Sequence, residues 1–294
     1  MGMYAEFGNL FHDLEKAGVH RLDIRDVICA AAGFKVSRIG ASNEQANLIR
    51  SLLEPCGVSV VFSDCKFLSV RDSSKGAWSN RCREISADSC DGRWHLFIAR
   101  DQHLAEKARL CEKRKDHSSL GELLGIPECC RHFYIEIAKR TYKRDVLQFI
   151  FRNTDGARSF DFWTNYGARY FGYSLLSFAP CSFICDQAAA VAKTVWSILS
   201  NVNPGLADMC VTYHKRTVFY TEESGVFLLD TQPATANRIP FRALRMTTED
   251  SPVAKAVREG NSLEVNGSDI LIFKDERLLL TAASKDCALC IFTN

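Results

Sequence analysis

Apolar residues recur at helical spacing in "GNLFHDLEKAG" (8–18) and "DIRDVICAAAG" (23–33), and each stretch ends at a glycine suited to stopping a helix. "KVSRIGA" then reads as a short strand, and "SNEQANLIRSLLEPCG" as a helix opened by a capping box of Ser42 and Gln45. "VSVVFSDCKFLSVRD" predicts one or two strands, and a looser stretch over 73–92 leads to the strand "RWHLFIAR" and the charged helix "DQHLAEKARLCEKRKD". From Ser118 the period becomes helical. "SSLGELLG" offers Ser119 and Glu122 as a second capping box, with a stop at Gly125. Pro127 suits the first turn of the next helix, because its missing N–H would be unpaired there anyway. "RDVLQFIFRN" predicts a further helix, whereas "DGARSFDFWTNYGARYFGYSLLSF" is rich in aromatics and has no clean period. "CSFICDQAAAVAKTVWSILSNVN" predicts a long helix introduced by Pro180 and ended at Asn203-Pro204-Gly205. The remainder reads mostly as strands, with a hairpin signal at Asn266-Gly267 and one short helix, "SPVAKAVREG".

These patterns predict an α+β fold: a small N-terminal α/β region over 1–117, a central helical cysteine-bearing region over 118–205, and a C-terminal, mostly antiparallel β region over 206–294. Charge narrows the partners. A formal net charge of +2 on 294 residues gives no global field that favours nucleic acid. The aromatics of "FDFWTNYGARYFGY" therefore read as core rather than as base-stacking platforms. The amphipathic, acid-containing start lacks the form of a secretion signal, and no apolar run has the length of a membrane span. The expectation is a cytoplasmic protein with no membrane and no nucleic-acid partner.

In a reducing compartment, thirteen cysteines do not read as a disulfide framework. Their positions are more informative. Cys129 and Cys130 are adjacent at a predicted helix start, and Cys181 and Cys185 stand four apart behind Pro180, where a helix would place both sulfurs on one face of its first turn. Two helix starts with two thiols each can present four sulfurs to one centre, and both helix dipoles favour thiolate. Four thiolates suit zinc or an iron–sulfur cluster. Vicinal cysteines would have to bend sharply to reach one zinc ion, whereas a cubane spreads its ligand positions over several irons; on that ground a 4Fe-4S cluster is favoured over zinc.

Cys130 and His132 are the candidate catalytic groups, one as nucleophile or persulfide carrier and the other as proton donor. Arg131 heads a basic run with Lys139, Arg140, Lys143 and Arg144, while Asn165 and Arg169 are placed by sequence proximity beside Cys181; Arg131, Asn165 and Arg169 are the candidate contacts to a small anionic substrate. Cys287 and Cys290 have knuckle spacing but fit a strand with buried thiols as well as a resolving dithiol. The chain carries no phosphate-binding glycine loop, no His-Glu-x-x-His helix, no Gly-x-Ser-x-Gly elbow and no C-x3-C-x2-C motif of radical enzymes.

"GELLGIPECCRHF", followed some fifty residues later by "APCSFIC", resembles the signature of a prokaryotic family in which Leu-Gly-aromatic-Pro-x-Cys-Cys precedes Pro-Cys-Ser-x-x-Cys or a close variant. The resemblance covers about residues 95–195 and marks Gly121, Gly125, Pro127, Cys129, Cys130, Pro180, Cys181, Ser182 and Cys185; Ile126 stands where the family has an aromatic residue. It implies that the four cysteines belong together and attaches no activity to them. The sequence thus predicts an iron–sulfur enzyme, an oxidoreductase or sulfur transferase served by an electron or sulfur donor protein. A zinc-stabilised protein-binding module and a metal-free cysteine-nucleophile enzyme are the alternatives.

Overall fold

The computed structural model describes residues 2–70, 81–138, 145–154, 159–234, 238–267, 269–283 and 287–293. Three helices, α1 (Gly2–Lys16), α2 (Arg21–Ala31) and α3 (Asn43–Leu53), cover one face of a four-stranded antiparallel sheet of β1 (Ser37–Ala41), β2 (Ser59–Val70), β3 (Arg81–Ile85) and β4 (Arg93–Ala99), in the order β1-β4-β2-β3. The other face takes α4 (Gln102–Lys113) and α5 (His117–Leu123). Alternation along β4 explains the two-sided burial: Leu96 and Ile98 join the core under α1–α3, while Phe97 and Ala99 pack against Ala105, Ala108 and Leu120.

The predicted cap of α3 is present, with Gln45 N–H donating to Ser42 Oγ (3.3 Å) and the Gln45 side chain accepting from Ser42 N–H (3.5 Å). Ser42→Ala is therefore expected to cost about 1 kcal/mol in urea unfolding, and an unchanged midpoint would remove the cap from the account. The second predicted box is not formed. Asp116 caps α5 by accepting from Ser119 N–H (3.0 Å), so Ser119 is the third residue of the helix; an aspartate one residue ahead of the helix outcompetes a serine already within it. Gly125, at φ +71°, ends that turn as expected.

The central region holds α6 (Glu128–Ala138), α7 (Val146–Arg152), two short 3-10 turns over Phe162–Thr164 and Tyr166–Phe171, and α8 (Asp186–Val202). A further helix, α9 (Pro204–His214), follows at once. Asn203-Pro204 thus punctuates two helices, with the Asn203 side chain capping the second (3.0 Å to Leu206 N) and proline in its first turn. Helices α8 and α9 share the core of α1–α3, which also receives Cys130 and Cys185.

The rest builds an eight-stranded sheet, in the order β11-β10-β9-β8-β7-β6-β12-β5, from β5 (Ser159–Asp161), β6 (Thr217–Thr221), β7 (Gly225–Thr231), β8 (Arg238–Met246), β9 (Ser262–Asn266), β10 (Asp269–Lys274), β11 (Arg277–Ala282) and β12 (Cys287–Thr293). All its pairings are antiparallel except β5–β12. Gly267, at φ +59°, sits in the predicted hairpin between β9 and β10. Val218, Tyr220, Val226, Leu228 and Phe292 face the aromatics of the central region. Phe219, Phe227, Leu229 and Leu289 face α10 (Pro252–Glu259). Among the described residues no helix is long and apolar enough to cross a membrane.

Candidate metal centre

Four sulfurs meet at the end of the first core. Cys129 and Cys130 lie in the first turn of α6, and their Sγ atoms are 3.8 Å apart. Cys185 Sγ stands 3.7 Å from Cys129 Sγ and 3.8 Å from Cys130 Sγ, and with Cys181 Sγ all four lie within 4.8 Å of one another. Successive helical side chains diverge around the axis but both lean toward the N-terminus, so at the open end of a helix they converge on a point beyond it. The vicinal pair reaches one centre in this way without a bent backbone.

The second pair departs from expectation. Helix α8 starts at Asp186, so Cys181 and Cys185 do not share a helical face; Cys181 precedes a tight turn and Cys185 is the N-cap, its Sγ accepting from Ala188 N–H (3.4 Å). Serine 182 closes the turn, its carbonyl accepting from Cys185 N–H (3.3 Å). A cysteine in the cap position offers the helix N-terminus the acceptor it needs, which delays the start of the helix to Asp186 rather than Pro180.

The ligand turn is held from two sides. Asn153, just past α7, donates to the Cys181 carbonyl (2.8 Å), and the Thr154 hydroxyl accepts from Phe183 N–H (3.0 Å). On the other side Thr164 Oγ1 donates to the Phe183 carbonyl (2.6 Å). Cys181 N–H in turn donates to Cys130 Sγ (3.3 Å). Asn153 and Thr154 were not singled out in the sequence, where they follow a helix and look like an ordinary exit turn.

The sulfurs are electrostatically unequal. Hydrogen bonding from Cys130, aided by the Ala188 N–H and by Cys181 and Cys129, lowers the Cys185 pKa to about 5 against the cost of burial. The same bond, with burial behind it, drives the Cys130 thiol far up, and burial foremost pushes Cys181 up to about 12. One thiolate thus anchors the set, and a bound cation would displace the remaining thiol protons. Cys130 is fully buried, Cys185 nearly so, and Cys129 and Cys181 reach partway to solvent.

The other sequence candidates are distributed elsewhere. His132 is exposed on α6, and the only group of metal-competent side chains among the described residues consists of the four cysteines. Arg131 folds back so that Nη1 donates to the Ile126 carbonyl (2.9 Å), lying over Gly121, where a Cβ would meet its Cδ at 2.8 Å. Lys139, Arg140, Lys143 and Arg144 lie outside the described residues. Asn165 is fully buried and spent on the backbone, donating to the carbonyls of His214 (2.8 Å) and Arg216 (3.1 Å) and accepting from Gly167 N–H (3.0 Å). Arg169 donates to the Ser177 carbonyl (3.3 Å). Cys287 and Cys290 occupy an interior strand and point into different cores, as a three-residue offset on a strand demands, so they form no knuckle.

His214 ties the Phe162–Thr164 turn to the loop that holds Leu175. It is fully buried, with Nδ1 at 2.9 Å from the Phe162 carbonyl and Nε2 accepting from Leu175 N–H (3.0 Å), which assigns the proton to Nδ1. Burial lowers its pKa to about 4 from 6.5. Between those values the unfolded chain binds a proton that the folded chain refuses, so this contribution is complete above about pH 6.5 and is lost as pH falls toward 4, at up to ~1.4 kcal/mol per pH unit. Asp23, raised to about 6 by burial and then by Asp26, has the opposite slope above 3.8, so the informative quantity is a difference between variants. The stability of wild type is expected to fall more steeply than that of His214→Gln between pH 6.5 and 5; parallel curves would remove His214 from the acid response.

Compared with models of known protein families, with curated proteins and with solved structures, the chain matches none.

Proposed function

We propose that the chain is a metalloprotein whose four cysteines hold a single tetrahedral ion, zinc, that clamps the start of α6 to the start of α8. The observation that carries this reading is the sulfur spacing. A zinc ion with Zn–S bonds of about 2.3 Å requires sulfurs about 3.8 Å apart at the corners of its tetrahedron. Three of the Sγ pairs stand at 3.7–3.8 Å, and none exceeds 4.8 Å. The terminal sulfurs of a four-iron cubane sit on separate irons at separate corners, much farther apart than these. The vicinal geometry that favoured a cluster at the level of sequence is thus better served by one ion. Four protein ligands leave no open position, which makes the ion's role structural.

The sequence resemblance groups the same four residues and is compatible with this reading. The oxidoreductase or sulfur-transferase reading requires the sulfurs to spread by ångströms, and the nucleophile reading falls to the half-buried Cys129, since Cys130 is fully buried with a raised pKa. Purification without oxygen, followed by zinc, iron and sulfide analysis of wild type and Cys181→Ala, tests the proposal. Colourless wild type with one zinc per chain and a metal-depleted variant are expected. A brown protein with iron and sulfide would restore the cluster, and metal-free folded protein would leave the thiol enzyme.

A further inference from the structure

The four sulfurs are not equally reachable. Cys130 is fully buried and Cys185 nearly so, while Cys129 and Cys181 are half-buried. Beyond the sulfur set, Cys129 Sγ meets Gln187 Oε1 at 3.6 Å. Gln187 is an exposed residue in the first turn of α8, so the centre opens to solvent beside Cys129. Cys181 stands on a backbone pinned on both sides, its N–H on Cys130 Sγ (3.3 Å) and its carbonyl under the Asn153 amide (2.8 Å). A small, uncharged oxidant therefore finds Cys129 first.

The three close sulfur contacts differ in what oxidation can make of them. Neighbouring Cα atoms are about 3.8 Å apart across a trans peptide, short of the roughly 4.4 Å at which disulfide geometry begins. Cys129 and Cys130 are thus kept from joining inside the first turn of α6, although their sulfurs are 3.8 Å apart. The Cys130–Cys185 contact (3.8 Å) is shut away from solvent. The Cys129–Cys185 contact, at 3.7 Å, joins a reachable sulfur to one on a different element, the cap of α8. Side-chain rotation alone has to bring that pair to an S–S bond of about 2.05 Å.

We propose that Cys129 and Cys185 form a peroxide-operated switch that releases the ion, an inference that rests on the zinc reading above. Cys129 Sγ attacks one oxygen of hydrogen peroxide; the O–O bond breaks, the sulfur is oxidised to a sulfenic acid, and the departing hydroxide is protonated to water. Cys185 Sγ then attacks the Cys129 sulfur, so that the S–S bond forms, the S–O bond breaks and a second hydroxide leaves as water. Two thiolates, one peroxide and two protons yield one disulfide and two waters. Cys130 and Cys181 remain as an incomplete ligand pair; the ion departs and both thiolates take protons from solvent. The disulfide ties the start of α6 to the start of α8 in place of the metal. The oxidised chain therefore stays folded, and a thiol reductant supplied with zinc reverses the change.

The test uses the full chain carrying Cys82→Ser and Cys90→Ser, which removes two exposed thiols and keeps all four sulfurs of the centre. Zinc content is measured first. Hydrogen peroxide is then added in modest excess while a colorimetric chelator reads zinc release, tandem mass spectrometry maps the disulfides and circular dichroism follows the helices. One zinc lost per Cys129–Cys185 disulfide is expected, with helicity retained and zinc binding restored by dithiothreitol and zinc. Zinc that stays bound, zinc lost with over-oxidised sulfurs and no disulfide, a main product pairing other cysteines, or helicity lost with the metal would overturn the switch while leaving the zinc reading in place. Protein that starts without zinc would overturn both.

Discussion

Replacing Cys130 by serine is expected to empty the metal centre and to lower the midpoint of thermal unfolding by about 10 °C. Cys130 Sγ is fully buried, 3.8 Å from both Cys129 Sγ and Cys185 Sγ, and accepts the Cys181 N–H at 3.3 Å. A serine oxygen is a poorer zinc ligand and would leave three sulfurs around an incomplete tetrahedron. Metal affinity that exists only in the folded state is folding free energy, and losing several kcal/mol of it in a chain of this size moves the midpoint by roughly that amount. Cys210→Ala supplies the control, since Cys210 is equally buried in the same core but outside the sulfur set. It should retain full metal while losing stability through the cavity and the lost contact with the Ser174 backbone. Scanning calorimetry with metal analysis on both variants checks this; a Cys130→Ser protein that keeps stoichiometric metal would contradict it.

The second large effect is expected at Arg25. It is the largest fully buried side chain among the described residues, with bonds to Asp26 at 3.3 and 2.9 Å and to two carbonyls of the Gly172–Ser177 loop. The pairing with Arg25 and Lys35 outweighs burial and holds Asp26 down at about pKa 2. Arg25→Met fills similar volume but strands Asp26 with Lys35 alone and leaves the Ser174 and Leu176 carbonyls without this donor, so a loss of about 3–5 kcal/mol in urea unfolding is predicted. Arg25→Met combined with Asp26→Asn should lose less than the two single losses added together, because part of each single loss is the charge left behind. A single-variant loss under 1 kcal/mol would show that water takes over the role of Arg25.

Local chemistry carried much of the architecture into the sequence. The Ser42/Gln45 box, the stop at Gly125 and the apolar runs of β6 and β7 depend on neighbours within a few residues, and each appears where the pattern put it. Strand β3 was hidden in a polar stretch because it lies at the sheet edge, paired with β2 alone, and needs no apolar run. Helix α9 was hidden because Asn-Pro-Gly reads as a terminator, although the same Asn and Pro are good helix starters.

The grouping of the four cysteines was legible from two pairs beside prolines. Their geometry was not, because it depends on Cys185 capping α8 rather than lying within it. Arg169 was singled out, but its company was not: it bonds the Gly172–Ser177 loop that Arg25 and Lys35 also bond, residues more than a hundred positions away whose meeting no local period records.

X-ray absorption at the zinc edge of the purified protein tests most directly whether one ion sits among the four thiolates. The expected result is four sulfur neighbours at about 2.3 Å and no metal–metal vector. A zinc shell containing nitrogen or oxygen in place of sulfur, or iron in place of zinc with a short iron–iron vector, would contradict it.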